Sequence, residues 1–372
     1  MQSIDECKEV LARFYCAAAE RNLSKELEAG CKDLPPERWP RVIEVTEGSC
    51  VIERCRVVSE AGTGVYAGRT GAVRIESTEV TKCRASGIVV AEGGHMEVIK
   101  CNVSSCGAYG AVCKGAMMRL EGGGASSCKV SGVGAMSGGL VSVEGMRIFE
   151  CAEAGLSCVG EQTSVRAMSC VIESNGSYGV TAQSGGRIDL IESKVRGNVA
   201  SGITCGKAGA CILAMASEVA ANGANGVVAA EGGAIKVEGG GVRGNKSAGA
   251  LAVGGGHVML KQVEVSSNGS HGVVAQRGGQ STMAECGVDA NSLSGITCIH
   301  AGSRVRVSQG NVGGSRVGVY AAAGGEIYLD VQALVEGNSE ANEGCVDDGK
   351  ILREQPKRSS SVLARPLSAK NR

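Results

Sequence analysis

Asn198-Val-Ala-Ser-Gly-Ile-Thr-Cys205 and Asn291-Ser-Leu-Ser-Gly-Ile-Thr-Cys298 are two copies of one phrase, and its spacing decides the fold. The glycine within it recurs through most of the chain, at Gly64, Gly87, Gly110, Gly132, Gly155, Gly179, Gly202, Gly226, Gly249, Gly272, Gly295 and Gly318. Every step is 22, 23 or 24 residues. A fixed period in this range is the mark of a solenoid. With the glycine as position 0, positions 1 and 3 carry Val, Ile, Ala or Cys (Val227 and Ala229, Ile296 and Cys298), and positions 9 and 11 are mostly apolar (Met96 and Val98, Ile188 and Leu190). Position 16 is usually Val, as at Val80, Val103, Val195 and Val242. Three short stretches of alternating polarity per repeat, separated by Gly-Gly and by a polar turn, read as three strands around a coil. The L-x-x-L-x-L spacing of leucine-rich repeats is missing, and helical repeats are longer and poorer in glycine. A parallel β-helix of about 12 turns remains.

One row of residues supports that reading. Position 19, shifted by one in some turns, carries Cys83, Cys106, Cys128 and Cys151, then Asn175, Asn198, Asn222, Asn245, Asn268 and Asn291. Stacked turns lie about 4.8 Å apart, so like residues sit over like. An asparagine amide both donates and accepts, which lets the row form a hydrogen-bonded ladder inside a turn. The cysteine segment of the row is expected to replace hydrogen bonding with packing.

These phrases resemble the right-handed parallel β-helix superfamily, which holds pectate-lyase-like enzymes and non-enzymatic parallel β-helix repeats. The resemblance covers roughly residues 42–345 and implies the fold; it does not carry a function, because one fold hosts many. Residues 1–41 hold Ile4, Cys7, Val10, Leu11, Phe14, Tyr15 and Ala18 at helical spacing, an expected cap over the first coil, followed by the proline-rich loop 33–40. Residues 346–372 are basic and Ser-rich and are expected to be disordered.

The 372 residues carry 38 Lys and Arg against 38 Asp and Glu, which gives no reason to expect nucleic acid or an anionic membrane as partner. No apolar run is long enough for a membrane helix and no secretory leader is visible. The 18 cysteines are dispersed along repeat positions, and Asn175, Asn245 and Asn268 would be glycosylation acceptors in a buried row. A cytoplasmic or nuclear protein with reduced thiols is the expectation. Redox pairing within the cysteine column and a metal site are the other readings of these thiols.

Catalytic chemistry finds little support. Asp189, Asp289 and Asp330 stand at different positions of separate turns, and His95, His257, His271 and His300 have no histidine at the same position of an adjacent turn. No catalytic, cofactor-binding or metal-binding residues are therefore assigned, and no cofactor is expected. Tyr66, Tyr109, Tyr178, Tyr320 and Tyr328 look isolated, which speaks against an aromatic sugar platform. The candidate interaction surface is the position-2 row, Val89, Val112, Thr181, Thr204, Val228, Leu251, Val274, Thr297 and Tyr320, a nearly uncharged strip that alternation turns away from the core. On that strip rests the expected function, a non-catalytic intracellular scaffold presenting a rigid face to another protein. The alternative is a divergent carbohydrate-active enzyme of lyase or hydrolase type, or a sugar-binding module. A third option is the substrate-recognition part of an F-box-type ubiquitin ligase.

Overall fold

The computed structural model of the protein describes residues 40–354. The helix expected near the N-terminus, the proline-rich loop up to residue 39 and the chain beyond 354 lie outside the described residues. Within them there is no helix. Fourteen strands, from Arg41–Val45 to Ala341–Cys345, stack in parallel into one sheet, the first face of the coil. The remaining strands join into a continuous second and third face. In four turns the second and third strands run together into single ten-residue strands: His95–Ser104, Met117–Ser126, Cys211–Ala220 and Ala234–Arg243. The result is an all-β parallel solenoid.

The coil has 14 turns rather than 12. Ile43 pairs with Val65 and Val319 with Glu343, so Val42 and Asn342 occupy the glycine position of the first and last turns. A count made on glycines misses both. Regular strand also continues past residue 345, through Lys350–Arg353, which pairs in register with Glu326–Leu329.

The opening glycine answers to crowding, not to its own dihedral. A Cβ on Gly226 would fall 2.4 Å from Val242 Cγ1 and 2.8 Å from Asn245 Nδ2. The first strand starts where the chain presses against the core valine and the ladder residue of its own turn, and only a residue without a side chain fits. The apolar positions 1, 3, 9, 11 and 16 then fill the interior, as Val227, Ala229, Ile235, Val237 and Val242 do, each fully buried.

The asparagine ladder is present. Asn222 donates its backbone N–H (3.1 Å) and its side-chain Nδ2 (2.9 Å) to Oδ1 of Asn245, and Asn245 does the same to Asn268 at 3.1 and 3.0 Å. All six asparagines from Asn175 to Asn291 are buried. The residue before each one often lies in the left-handed region, such as Ser174 (φ 55°), Ala221 (φ 53°) and Ser267 (φ 55°), and this turns the chain so that the side chain points inward.

The cysteine segment packs, and its thiols point at the carbonyl two residues back in their own turn, Cys106 Sγ to Ser104 O at 3.4 Å and Cys128 Sγ to Ser126 O at 3.3 Å. The asparagine ladder begins where the segment ends, with the backbone N–H of Cys151 donating to Asn175 Oδ1 at 3.1 Å. A second, unforeseen ladder lies between the second and third strands. Cys170 N donates to Ser193 Oγ and Ser193 N to Ser217 Oγ, both at 3.1 Å, and Cys55 N donates to Thr78 Oγ1 at 3.2 Å.

Candidate functional site

The position-2 row assembles as the repeat requires. In-register pairing runs Val89, Val112, Gly134, Ser157, Thr181, Thr204, Val228, Leu251, Val274, Thr297, Tyr320. Gly134 and Ser157 fill the two turns that the sequence strip skipped. The row is not a raised ridge. Val112 is 1% exposed, Thr297 4%, and Thr181 and Val274 7% each, with the other members of the strip half-buried. It forms the floor of a trough along the first face.

At two turns the residue just before the opening glycine reaches over this floor from the turn below. The Tyr109 ring lies on Gly134, where any Cβ would sit 2.7 Å from its Cε1. His271 Nδ1 is 2.9 Å from Thr297 Oγ1. Tyr178 stands before Thr204 at the same place in the repeat. Tyr320 belongs to the floor itself and lies against Gly344 of the last turn. Tyr109, Tyr178 and Tyr320, which look isolated along the chain, therefore line one side of the coil, with glycines making room for two of the rings, while Tyr328 lies on the second face. The sequence signal for this is faint: a ring one residue before an opening glycine, paired with a small or hydroxyl residue at position 2 of the next turn.

Within the trough, Thr181 and Thr204 face each other across adjacent turns, and the buried hydroxyl of each has no hydrogen-bond partner. Beside them the position-4 row runs Gln183, Gly206 and Ala230, and at Gly206 there is open space where a side chain would project. From turn 5 to turn 13 neither row carries a charged residue. Burial holds His271 below its ordinary value, so near neutral pH it meets Thr297 uncharged. Burial first, and the charge of Glu153 second, push the Tyr109 phenol up.

Charged residues gather on the other two faces, in shared ion pairs. Glu173, 8% exposed, is held between Arg147 and Arg196 at 2.7 and 2.8 Å. On the second face Glu238 bridges Lys236 and Lys261, and Glu326 accepts from Arg304 and from the Tyr328 hydroxyl. Asp189 pairs with Arg187 of its own strand, while Asp330 accepts from Gln309 N. Asp189, Asp289 and Asp330 do not converge. No group of three or more His, Cys, Asp or Glu among the described residues has an arrangement that would hold a metal ion. Cys83, Cys106, Cys128 and Cys151 are free thiols, each almost wholly buried. Burial pushes the thiols of Cys113, Cys205 and Cys298 up to about 11 and that of Cys158 to about 12, which suits core packing.

The sequence matches the family described as right handed beta helix region over residues 42–214 and again over 185–339. No curated protein sequence matches it. Similar solved structures include the A-module of the Azotobacter vinelandii mannuronan C-5 epimerase AlgE4, at 16% identity over 79% of this chain and 89% of that one (TM-score 0.47). The periplasmic alginate epimerase AlgG is 12% identical over 87% and 82% (TM-score 0.48). The Dettilon tailspike protein is 10% identical over 74% and 62% (TM-score 0.50). At these identities the likeness fixes the fold alone. The scaffold expected from the sequence is nonetheless corrected. The solved structures set beside this chain are epimerases of a polysaccharide and tailspike proteins, not scaffolds. The physical reason lies in the strip: its apolar members are sunk in a floor, and what borders them is rings, hydroxyls and amides.

Proposed function

The chain belongs to the right-handed β-helix family, and from that premise we propose that it binds carbohydrate, taking a stretch of glycan into the trough of the first face. The observation that carries this reading is the pair of buried, unpartnered hydroxyls of Thr181 and Thr204, set beside the open place at Gly206. A buried hydroxyl without a partner costs free energy, and a ligand hydroxyl brought against it removes that cost. A sugar ring offers such hydroxyls in quantity and an apolar face besides. Tyr178 supplies the ring on which that face can lie, and Gln183 an amide that both donates and accepts. Because the floor is uncharged here, the contacts are with hydroxyls and not with charged substituents. No Asp or Glu lies on the floor rows from turn 2 to turn 13, so the trough lacks the paired carboxylates of glycoside hydrolysis, and the reading is of binding, not bond cleavage.

The test is a glycan array probed with the intact chain, followed by affinity electrophoresis on the glycans retained. Thr181→Val and Thr204→Val keep shape and remove only the hydroxyls. Together they should weaken binding at least fivefold with the melting temperature unchanged or raised, and Tyr178→Ala should abolish it. No retained glycan, or retention indifferent to all three substitutions, would overturn the proposal.

A further inference from the structure

Gly206 is a glycine that the fold does not call for. Its φ lies outside the left-handed region, and a Cβ built on it would meet nothing within 4 Å. Glycine inside a strand weakens the fold relative to alanine, because it loses more freedom on folding. Among the described glycines, only Gly206 and Gly287 combine such a backbone with open space. Gly287 faces out of the third face between Glu264 and Asn311. Gly206 lies in the trough. On the position-4 row it stands between Gln183 of turn 7 and Ala230 of turn 9. The row's one other glycine, Gly68 of turn 2, has its place filled by the Tyr66 ring, 2.6 Å from where a Cβ would be. The row therefore carries a single notch, one side chain wide.

Given carbohydrate binding, on which this inference rests, we propose that the notch sets the specificity of the trough and takes the hydroxymethyl group of a neutral hexopyranose. Thr204 stands two residues before Gly206 on the same strand, about 7 Å away, and Thr181 one turn back. Their buried hydroxyls are the unpartnered ones. In a pyranose the carbon that bears the hydroxymethyl group lies across the ring from the C2 hydroxyl. A ring that brings its C2 and C3 hydroxyls to the threonines thus points its exocyclic arm at the notch.

The surroundings choose among substituents. The Gln183 amide at the rim makes no hydrogen bond among the described residues, so it is free to bond the hydroxyl of the arm. A pentose has no arm and leaves both notch and amide unfilled, a loss of roughly 10- to 200-fold in affinity. A uronate carries a carboxylate in place of the arm. At the corner past the notch Lys207 and, one turn on, Glu231 are exposed and of opposite sign, so no net charge is there to receive it. The carboxylate gives up hydration without a net gain.

The intact chain on an array of neutral hexose, pentose and uronate oligosaccharides tests this, followed by affinity electrophoresis of Gly206 variants. The retained glycans should be hexose glycans with free hydroxymethyl groups, while those of arabinose, xylose and galacturonate should pass. Gly206→Gln fills the notch and should weaken binding at least tenfold, and Gly206→Ala less. Gly287→Gln, made in the same kind of open space on the third face, should bind as the wild type does. All three variants should melt at or above the wild-type temperature, since neither backbone nor neighbours resist a side chain there. Pentose or uronate glycans retained as tightly as hexose ones would overturn the proposal. So would hexose glycans held equally by the wild type and Gly206→Gln; in both cases carbohydrate binding itself stands. No retained glycan at all would instead remove the carbohydrate reading and this inference with it.

Discussion

Substituting Asn245 by leucine, which keeps the branched skeleton and the number of heavy atoms, removes what the ladder contributes. Asn245 Oδ1 accepts from Asn222 N and Asn222 Nδ2, while its own Nδ2 donates to Asn268 Oδ1 at 3.0 Å and Val219 O at 3.2 Å. The damage is uneven. Asn222 Nδ2 keeps Val195 O, and Asn268 Oδ1 keeps the backbone N–H of residue 245. Asn222 N–H keeps nothing, and Asn222 is 0% exposed. One orphaned buried backbone donor costs about 1–3 kcal/mol, and the amide bonds lost beside it add about 1 kcal/mol more. A net loss of roughly 2–4 kcal/mol follows, since leucine packed near Val219 and Val242 recovers little in an already filled core. Asn245→Ser separates the donor from the rest. Where serine interrupts the natural row, Ser315 Oγ accepts Asn291 N at 3.3 Å, so Asn245→Ser should cost less than half as much as leucine. In a solenoid each turn is stabilised mainly by its neighbours, so global melting is to be read beside amide hydrogen exchange at residue 222. Melting and exchange at residue 222 both left unchanged by Asn245→Leu would refute the ladder as a source of stability.

Two further outcomes follow from single buried groups. Ser281 faces the core between Val258 and Val305, and its hydroxyl has no partner; Ser281→Val should stabilise by about 1–2 kcal/mol, read as a higher melting temperature. His271 is held by burial below its ordinary 6.5, so the unfolded chain binds the proton first as pH falls. Its contribution is complete above pH 6.5 and is lost progressively below it, while carboxylates still contribute little. The difference in melting temperature between pH 7.5 and 5.0 should therefore shrink in His271→Gln; an equal pH dependence in the two proteins would contradict the burial argument.

The parts of this fold that were legible in the sequence are those set by one turn repeating. Alternation at positions 1, 3, 9, 11 and 16 placed the core, and the Asn row placed the ladder, because in both cases the partner of a residue is its own equivalent one turn on. Turn count was less legible, since the end turns replace glycine by Val42 and Asn342. The second ladder, between the second and third strands, was hidden because Thr78, Cys101, Ser193 and Ser217 share only the ability to accept a backbone N–H, not an identity.

The trough was hidden for a different reason. Alternation reports whether a side chain leaves the core; it says nothing of what then lies over it. At two turns a cover over position 2 comes from the residue before the glycine of the preceding turn, as His271 covers Thr297 and Tyr109 covers Gly134, an offset of one turn plus a few residues that no period within a strand contains. Corner rings are not the whole of that cover, because Val112 and Val274 are buried although Ser86 and Ala248 stand at the corresponding corners, while Thr204 behind Tyr178 is only half-buried. The outer surface of this coil is therefore set by corner and strand residues together, and only the strand residues share a period that the sequence displays.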